Sequence, residues 1–296
     1  MGRTMKPENV TPVISVVIPT VGRASKLDAA LTAFRELDRA TPPWEVIVVL
    51  DGPDAESRTV IQDHADLPIV VREQPAQGTG PARNRGSGAA TGEIVLFLND
   101  DTRPHPFCLQ AHFLAQRELG PCLTLGRNEW DPSLEVTSYM AWLAPAGHQF
   151  NYQRLDPCHP VPWDACWGTN LGVPRAWLLD EPFDEDHCFP ALEDGEWGYR
   201  QARRGRIIRY VPHAIAYHDH RYDGPADYRF RATSTGKAAR HVVRRHPELR
   251  WKLVWRPAAI ALARLLSMAY PGNWRRALWW DLDFRLHVLR GLISRT

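Results

Sequence analysis

The sequence predicts an α/β protein: a mostly parallel sheet flanked by helices, with a helical extension after it. Three observations predict it. Strand and helix signals alternate through the first third of the chain, the order in which a parallel sheet is threaded. The strand candidates are continuous apolar runs, so helices must cover both of their faces. Polar or acidic residues (Thr20, Asp51 and Asn99 to Asp101) directly follow three of these runs, at the edge where open parallel sheets bind ligands.

In order, residues 13–18 form a β-branched run that ends at Pro19, and 25–40 read as a helix capped by Ser25. Residues 45–50 are a second strand, stopped by Asp51-Gly52-Pro53. A short helix leads to a strand over 69–71. Residues 80–90 are rich in small side chains and helical, and 93–98 are a buried strand running into Asn99-Asp100-Asp101. The Trp-, Pro- and Gly-rich stretch 128–179 predicts irregular structure with short strands. From residue 226 the pattern is helical, punctuated by Pro247, Pro257 and Pro271. No internal repeat or low-complexity tract interrupts it.

Composition narrows the class. The 296 residues are 44% hydrophobic and 24% charged, enough for one large domain with a helical extension. A net charge of +2 gives no electrostatic case for a nucleic-acid partner, but it hides an asymmetry. Residues 240–296 carry twelve Lys and Arg against three acids, a local +9 that leaves −7 on the rest. Such a basic segment favours anionic partners. Five scattered cysteines with no C-x-x-C pair fit a reduced compartment better than a disulfide framework. The start lacks the apolar core of a signal peptide, and no apolar run reaches the roughly 18 residues of a membrane span. Together these point to the cytoplasm.

The sharpest chemical signal is Phe97-Leu-Asn-Asp-Asp-Thr102. A strand delivering adjacent carboxylates to its tip offers the hard oxygens that a phosphate-bridging divalent cation prefers. Taken alone, it reads equally as a solvated acidic turn. Upstream stand Ile18-Pro-Thr-Val-Gly-Arg23, Val48-Val-Leu-Asp-Gly-Pro-Asp54 and Gly78-Thr-Gly-Pro-Ala-Arg-Asn-Arg-Gly86. Downstream come Trp167-Gly-Thr-Asn170, Phe183-Asp-Glu185, Leu192-Glu-Asp-Gly-Glu196, Tyr199-Arg-Gln-Ala-Arg-Arg-Gly205 and Val211-Pro-His-Ala-Ile-Ala-Tyr-His218. In this order and register, over residues 13–220, the chain resembles glycosyltransferase family 2, the inverting nucleotide-sugar enzymes with the Rossmann-like GT-A fold.

The resemblance implies a role for each matching residue. Pro19, Thr20 and Arg23 border the nucleotide pocket, and Asp51 accepts from a pyrimidine ring N–H. Arg83 lies near the donor phosphates or base, with a helix-surface ion pair as the alternative. Asp101 matches the last acid of the family's Asp-x-Asp metal motif. The first acid is Asn99 here, so Asp100 shares the work, on the ribose or the metal's waters. His218 falls where relatives supply a further ligand to a manganese or magnesium ion, against the alternative of a core histidine. His213 and His220 read as structural or exposed. Asp194 is implied as the general base, which takes the acceptor hydroxyl proton on the face opposite the leaving diphosphate, and Glu193 orients the acceptor. Asp194 as a helix cap is the competing use. Trp167, Gly168 and Asn170 belong to the loop that closes over the donor sugar, although most of the twelve tryptophans must be core.

A catalytic domain is therefore expected over 12–225 (nucleotide half 12–103, acceptor half 104–225), with a basic helical extension over 226–296. The expected partners are a nucleotide-sugar donor (a UDP- or dTDP-sugar) and a glycan, lipid-linked or small-molecule acceptor. A nucleotidyltransferase is the rival enzyme class, but it needs a Gly-rich basic loop after the first strand, where Thr20-Val-Gly-Arg23 stands. A dehydrogenase needs a G-x-G-x-x-G at that turn, which the chain lacks. Against a non-catalytic sugar-binding relative stand the retained Asp101, Asp194 and His218, and for it stands Asn99 in place of the first motif acid. In the extension, Trp274, Leu278, Leu282, Leu286, Leu289 and Ile293 form one apolar helical stripe among arginines. It fits three uses: packing back on the catalytic domain, pairing with a second copy, or lying on an anionic bilayer.

Overall fold

The first strand, β1 (Ile14–Thr20), alternates its side chains between two cores: Ile14, Val16 and Ile18 enter one, and Val17 the other. The same division continues in its neighbours, which is why these strands read as unbroken apolar runs. The chain, described here from a computed structural model over residues 11–144, 147–267 and 275–294, continues through α1 (Ala24–Ala33), β2 (Trp44–Asp51), α2 (Ala55–Asp63), β3 (Ile69–Gln74) and α3 (Thr79–Ala89). Then come β4 (Ile94–Phe97), β5 (Thr102–Pro104), α4 (Cys108–Leu119), β6 (Leu123–Trp130), α5 (Ser138–Leu143) and β7 (Pro160–Val161). Next are β8 (Leu171–Pro174), α6 (Arg175–Asp180), α7 (Glu193–Arg203) and β9 (Ile208–His218). The last helices are α8 (Pro225–Arg245), α9 (Arg256–Ser267) and α10 (Arg275–Ile293).

One sheet runs β3-β2-β1-β4-β8-β6-β9-β5, with β7 on β9. Its β3-β2-β1-β4 half is wholly parallel, as its sequence predicts. Antiparallel β8 joins it to the second half, where β6 and β9 run parallel. The C-terminal ends of β1, β2 and β4 therefore open on one edge, and β9 delivers His218 opposite Thr102, beside the acidic turn.

Three local expectations are corrected. Ser25 is not a cap: α1 starts at Ala24, with Arg23 at the N-cap and no side-chain cap bond. That helix also stops early, tightening to a 3-10 turn over Phe34–Glu36 and breaking at Leu37, whose backbone is extended (ψ 140°). The third strand runs on to Gln74, since the polar Arg72 and Glu73 sit exposed at the sheet edge and carry no apolar signal.

The C-terminal helices share a core with the rest. Trp280 and Phe284 of α10 pack against a cluster of Tyr139, Met140, Leu143, Tyr222 and Tyr228. Helices α8 and α10 cross at Gly236 and Gly291, where a Cβ on Gly236 would lie 2.0 Å from the Val288 carbonyl. The predicted stripe is only partly the buried face. Leu282 is buried, whereas Leu286 and Ile293 are exposed; Val288, Gly291, Asp281 and Asp283 complete the contact. The difference arises because this interface uses glycine and paired acids, Asp283 with Arg229 and Asp281 with Arg264, Arg285 and His148. Hydropathy counts none of these. Trp274 and Pro271 lie outside the described residues, among which no helix is long and apolar enough to cross a membrane.

Candidate active site

The strand ends, the start of α7, the end of β9 and helix α8 together line a cleft of about 470 Å³, a size suited to a small-molecule ligand. Pro19, Thr20, Arg23, Asp51, Arg83, Asp100, Asp101, Trp167, Glu193, Asp194 and His218 all line it. Gly168 and Asn170 support it from behind.

Two carboxylate centres share this cleft. At the tip of β4, Arg23 spans the acidic pair, its Nη1 2.8 Å from Asp100 Oδ1 and its Nη2 2.7 Å from Asp101 Oδ2. Thr20 Oγ1 donates to Asp100 Oδ2 at 2.8 Å. Burial and the adjacent Asp101 push Asp100 up to about 6 against the pull of Arg23. Burial would raise Asp101 too, but His218, His220 and Arg23 beside it hold it well below the usual carboxylate range. His218 Nε2 stands 3.7 Å from Asp101 Oδ1, and burial drives this imidazole down to about 4, so it is neutral. Arg23 is thus the standing counter-charge. His218 Nδ1 is buried without a partner. A buried carboxylate facing a neutral imidazole is a donor set that fits a divalent cation, and Arg23, 37% exposed, has room to yield its place.

The second centre is built at the start of α7. Leu192, the N-cap, has left-handed backbone (φ 62°), a conformation that costs a residue with a Cβ about 1–2 kcal/mol. The other described non-glycine residues with positive φ are Phe150, which also lines the cleft, and Asn170 behind it. Strain of this kind concentrates at functional sites. Glu193 is paired with the buried Arg83 (2.8 Å), whose Nη2 also donates to the Gly168 carbonyl at 2.9 Å. Gly168 is required there, since a Cβ would lie 2.5 Å from the Arg83 guanidinium carbon. Asp194 Oδ2 accepts the Gly168 N–H at 2.7 Å and its Oδ1 accepts from Gly195 at 2.8 Å. Asp194 is thus inside the first turn, where Leu192 is the N-cap, and its Oδ1 satisfies one of the free N–H groups of that turn. Burial raises both carboxyls, but Arg83 brings Glu193 below its ordinary value, and the Glu193 charge pushes Asp194 further up. Environments that drive two neighbouring acids apart are the mark of an acid–base site.

Other residues hold the frame. Arg83 is buried, not on a helix surface, and it serves Glu193 and Gly168. The Asn170 amide is spent on the Arg127 and Ala214 carbonyls and on His112, tying β8 to β6 and β9. Asp51 accepts from Gln74, Gln77 and Gly78, which fixes the turn into α3. Trp167 lines the cleft edge-on to Tyr152 and packs on the core.

Several residues of the cleft belong to no motif. His220, set aside as structural or exposed, has Nδ1 3.6 Å from Asp101 Oδ2. Tyr228, Arg231 and Thr235 reach the cleft from α8. Their i, i+3, i+7 spacing puts them on one helix face, the sequence signal that was available. Arg231 is solvent-accessible at the cleft, no carboxylate among the described residues lies within ion-pair distance of it, and Tyr228, Tyr222, Glu193 and Asp194 favour its charge. Phe284 of α10 lines the same cleft, stacked on His148.

Comparison with known proteins gives the family and the fold. The model of the family described as Glycosyl transferase family 2 matches residues 15–173. Validoxylamine A glucosyltransferase of Streptomyces hygroscopicus subsp. jinggangensis is 26% identical over 82% of this chain and 63% of its own length. Pre-mycofactocin glycosyltransferase of Mycobacterium tuberculosis is 27% identical over 86% of this chain and 53% of its own. The chain thus spans less than two thirds of these relatives. Among solved structures, the mannosyltransferase PcManGT of Pyrobaculum calidifontis, in complex with GDP-Man and Mn2+, superposes with a TM-score of 0.67 at 18% identity, covering 96% of this chain and 88% of that one. S. aureus TarS 1–349 gives 0.58 at 16% identity, over 95% of this chain and 83% of its own. Both share the fold.

Proposed function

The chain belongs to glycosyl transferase family 2, and we propose that it moves a sugar from a nucleoside diphosphate donor to an acceptor hydroxyl, inverting the anomeric centre with the help of a divalent cation. The observation that carries this reading is the pair of carboxylate centres in one cleft, one balanced by Arg23 with the neutral His218 beside it, the other a raised Asp194 beside a depressed Glu193. In this reading Asp101 and His218 hold Mn2+ or Mg2+, with Asp100 on the ribose or the ion's waters. The ion, when bound, offsets charge on the departing diphosphate. Asp51 keeps lone pairs for the ring N–H of uracil or thymine, so a UDP- or dTDP-sugar is the proposed donor, near Pro19, Thr20 and Arg23. Trp167 offers its ring to a sugar face. Asp194 takes the acceptor proton, and Glu193, fixed by Arg83, orients the acceptor, a glycan, lipid-linked or small-molecule alcohol. The direct test is release of the nucleoside diphosphate from a panel of donors, with and without metal and acceptor.

Arg231 takes a place in this scheme that no motif announced. A cleft-facing cation without a carboxylate partner suits the diphosphate. Arg231→Gln is expected to raise the donor KM about ten- to a hundredfold, the value of one charge-assisted hydrogen bond, with a smaller change in kcat. Steady-state kinetics at varied donor checks this, and an unchanged KM removes Arg231 from the donor site.

A peripheral membrane contact is part of the same proposal. A groove of about 680 Å³ between α8, α9 and α10 has an apolar floor that includes Trp255, Leu286 and Ile293 and a rim of Arg244, Arg250 and Arg290. No described carboxylate pairs with these three arginines, Trp255 is 56% exposed and Ile293 82%. Unpaired cations around apolar and indole surface complement an anionic bilayer. The chain should co-sediment with vesicles of mixed phosphatidylcholine and phosphatidylserine, and high salt should release part of it. At about 1 kcal/mol per basic residue, replacing the three arginines by Gln weakens the binding roughly a hundredfold. Equal binding to neutral vesicles, or a dimer in solution that buries Trp255, overturns it. Point variants are the right tool, because removing α10 also removes Phe284 from the cleft.

A further inference from the structure

We propose that Asp184, His187 and His241 form a second metal site, a structural one for a zinc-like transition ion, which clamps α8 to the segment leading into the catalytic pair. It shares no residue with the cleft and stands independently of the transfer reaction. Each of the three offers a ligand atom, and these atoms lie within 4.8 Å of one another, the one such grouping among the described residues.

The state of His187 is what points to an ion. Its ring is 2% exposed, and Nε2 lies 2.7 Å from the Ala191 carbonyl, which accepts only from an N–H. Nε2 therefore carries the proton and Nδ1 the lone pair, yet Nδ1 is buried and has no partner. A backbone carbonyl that fixes the tautomer and leaves the other nitrogen free is the usual support of a metal-binding imidazole. His241 Nε2 meets Asp184 Oδ2 at 2.9 Å, so two of the three ligand atoms already adjoin. Ligands about 2.1 Å from zinc in a tetrahedron stand about 3.4 Å apart, and a shift of His187 of the order of 1 Å completes the set. Arg245 occupies only Oδ1 of Asp184, which leaves Oδ2 for the ion. Phe189 packs against both imidazoles and supplies an apolar wall, while His241, its side chain 20% exposed, leaves room for a water as the fourth ligand.

The placement gives such an ion a purpose. His241 is on α8, which carries Tyr228 and Arg231 into the cleft, and residues 184–191 run directly into Leu192, Glu193 and Asp194. A bond between the two sets the distance between Arg231, the cleft arginine without a carboxylate partner among the described residues, and the acid–base pair.

The test uses the full chain carrying Asp101→Ala, which removes the cleft's cation site, with Zn2+ alone as probe. One equivalent of zinc should survive equilibrium dialysis, and the melting temperature should rise by about 5 °C at a hundredfold excess over Kd. His241→Gln, at a partly exposed position, should melt near the parent without metal and lose at least tenfold in zinc affinity. His187→Gln should do the same and also lose the stoichiometric site. No zinc-dependent rise in the Asp101→Ala chain, or unchanged zinc binding in His241→Gln, overturns the proposal.

Discussion

Asp194→Asn is expected to keep the fold and most of the donor affinity while lowering kcat by roughly two to four orders of magnitude, the span of a lost general base. The separation follows from where Asp194 sits. Its two oxygens accept from the Gly168 and Gly195 N–H groups, contacts that fix the carboxylate but leave lone pairs for an acceptor hydroxyl. An Asn must turn its NH2 toward one of those donors, so one hydrogen bond is lost, at about 1 kcal/mol. That lowers the melting temperature by a few degrees and leaves the α7 turn in place. The pH profile gives a second readout. The Asp194 carboxyl is raised by burial and by Glu193, and only its ionised form takes a proton. Activity should therefore be full above this raised pKa and fall as the pH drops through it, and the limb should vanish from the residual activity of the variant. Loss of donor binding equal to the loss of kcat would instead make Asp194 a nucleotide contact.

The sequence was most legible where local chemistry and fold agree. The runs ending at Pro19, Asp51 and Asn99 are apolar on both faces, so pattern alone predicts buried parallel strands, and their C-terminal ends line the cleft. It was less legible where contacts are long-range. Arg83 stands 110 positions from Glu193, and nothing near it in the chain shows that it is buried. Asn170 sits in a motif that resemblance assigns to the sugar loop, yet its amide joins three strands. Arg231 was hidden because one helix face among several arginines looks like solvated surface, and only the fold turns that exposed face toward the cleft that Asp194 and Tyr222 also line. The extension misled in the other direction. A hydropathy stripe marks Leu286 and Ile293, but α10 is held by Gly236–Gly291 contact and by Asp281 and Asp283 in ion pairs.

Asp101→Ala is expected to reduce transfer at least a thousandfold and to abolish the metal dependence of donor binding, with the chain still folded. Asp101 is the carboxylate that both His218 and His220 face, within 3.7 Å and 3.6 Å, and it is held ionised far below neutral pH. Removing it leaves Arg23 paired with Asp100 alone at 2.8 Å, so no buried cation is orphaned. Asp100 also loses the neighbour that helps to raise it, and its pairing with Arg23 tightens. The structural cost is therefore small. The functional cost is not, because several kcal/mol of charge stabilisation at the diphosphate rests on the cation that this carboxylate would hold, and each 1.36 kcal/mol is a factor of ten in rate. Two measurements decide it. Manganese should raise the melting temperature of the wild-type chain in the presence of UDP or dTDP and leave that of the variant unmoved. Excess EDTA should silence the wild type to the level of the variant. Full wild-type turnover in EDTA would mean that Arg23 and Arg231 carry the diphosphate charge by themselves, and the metal-assisted reading would fall.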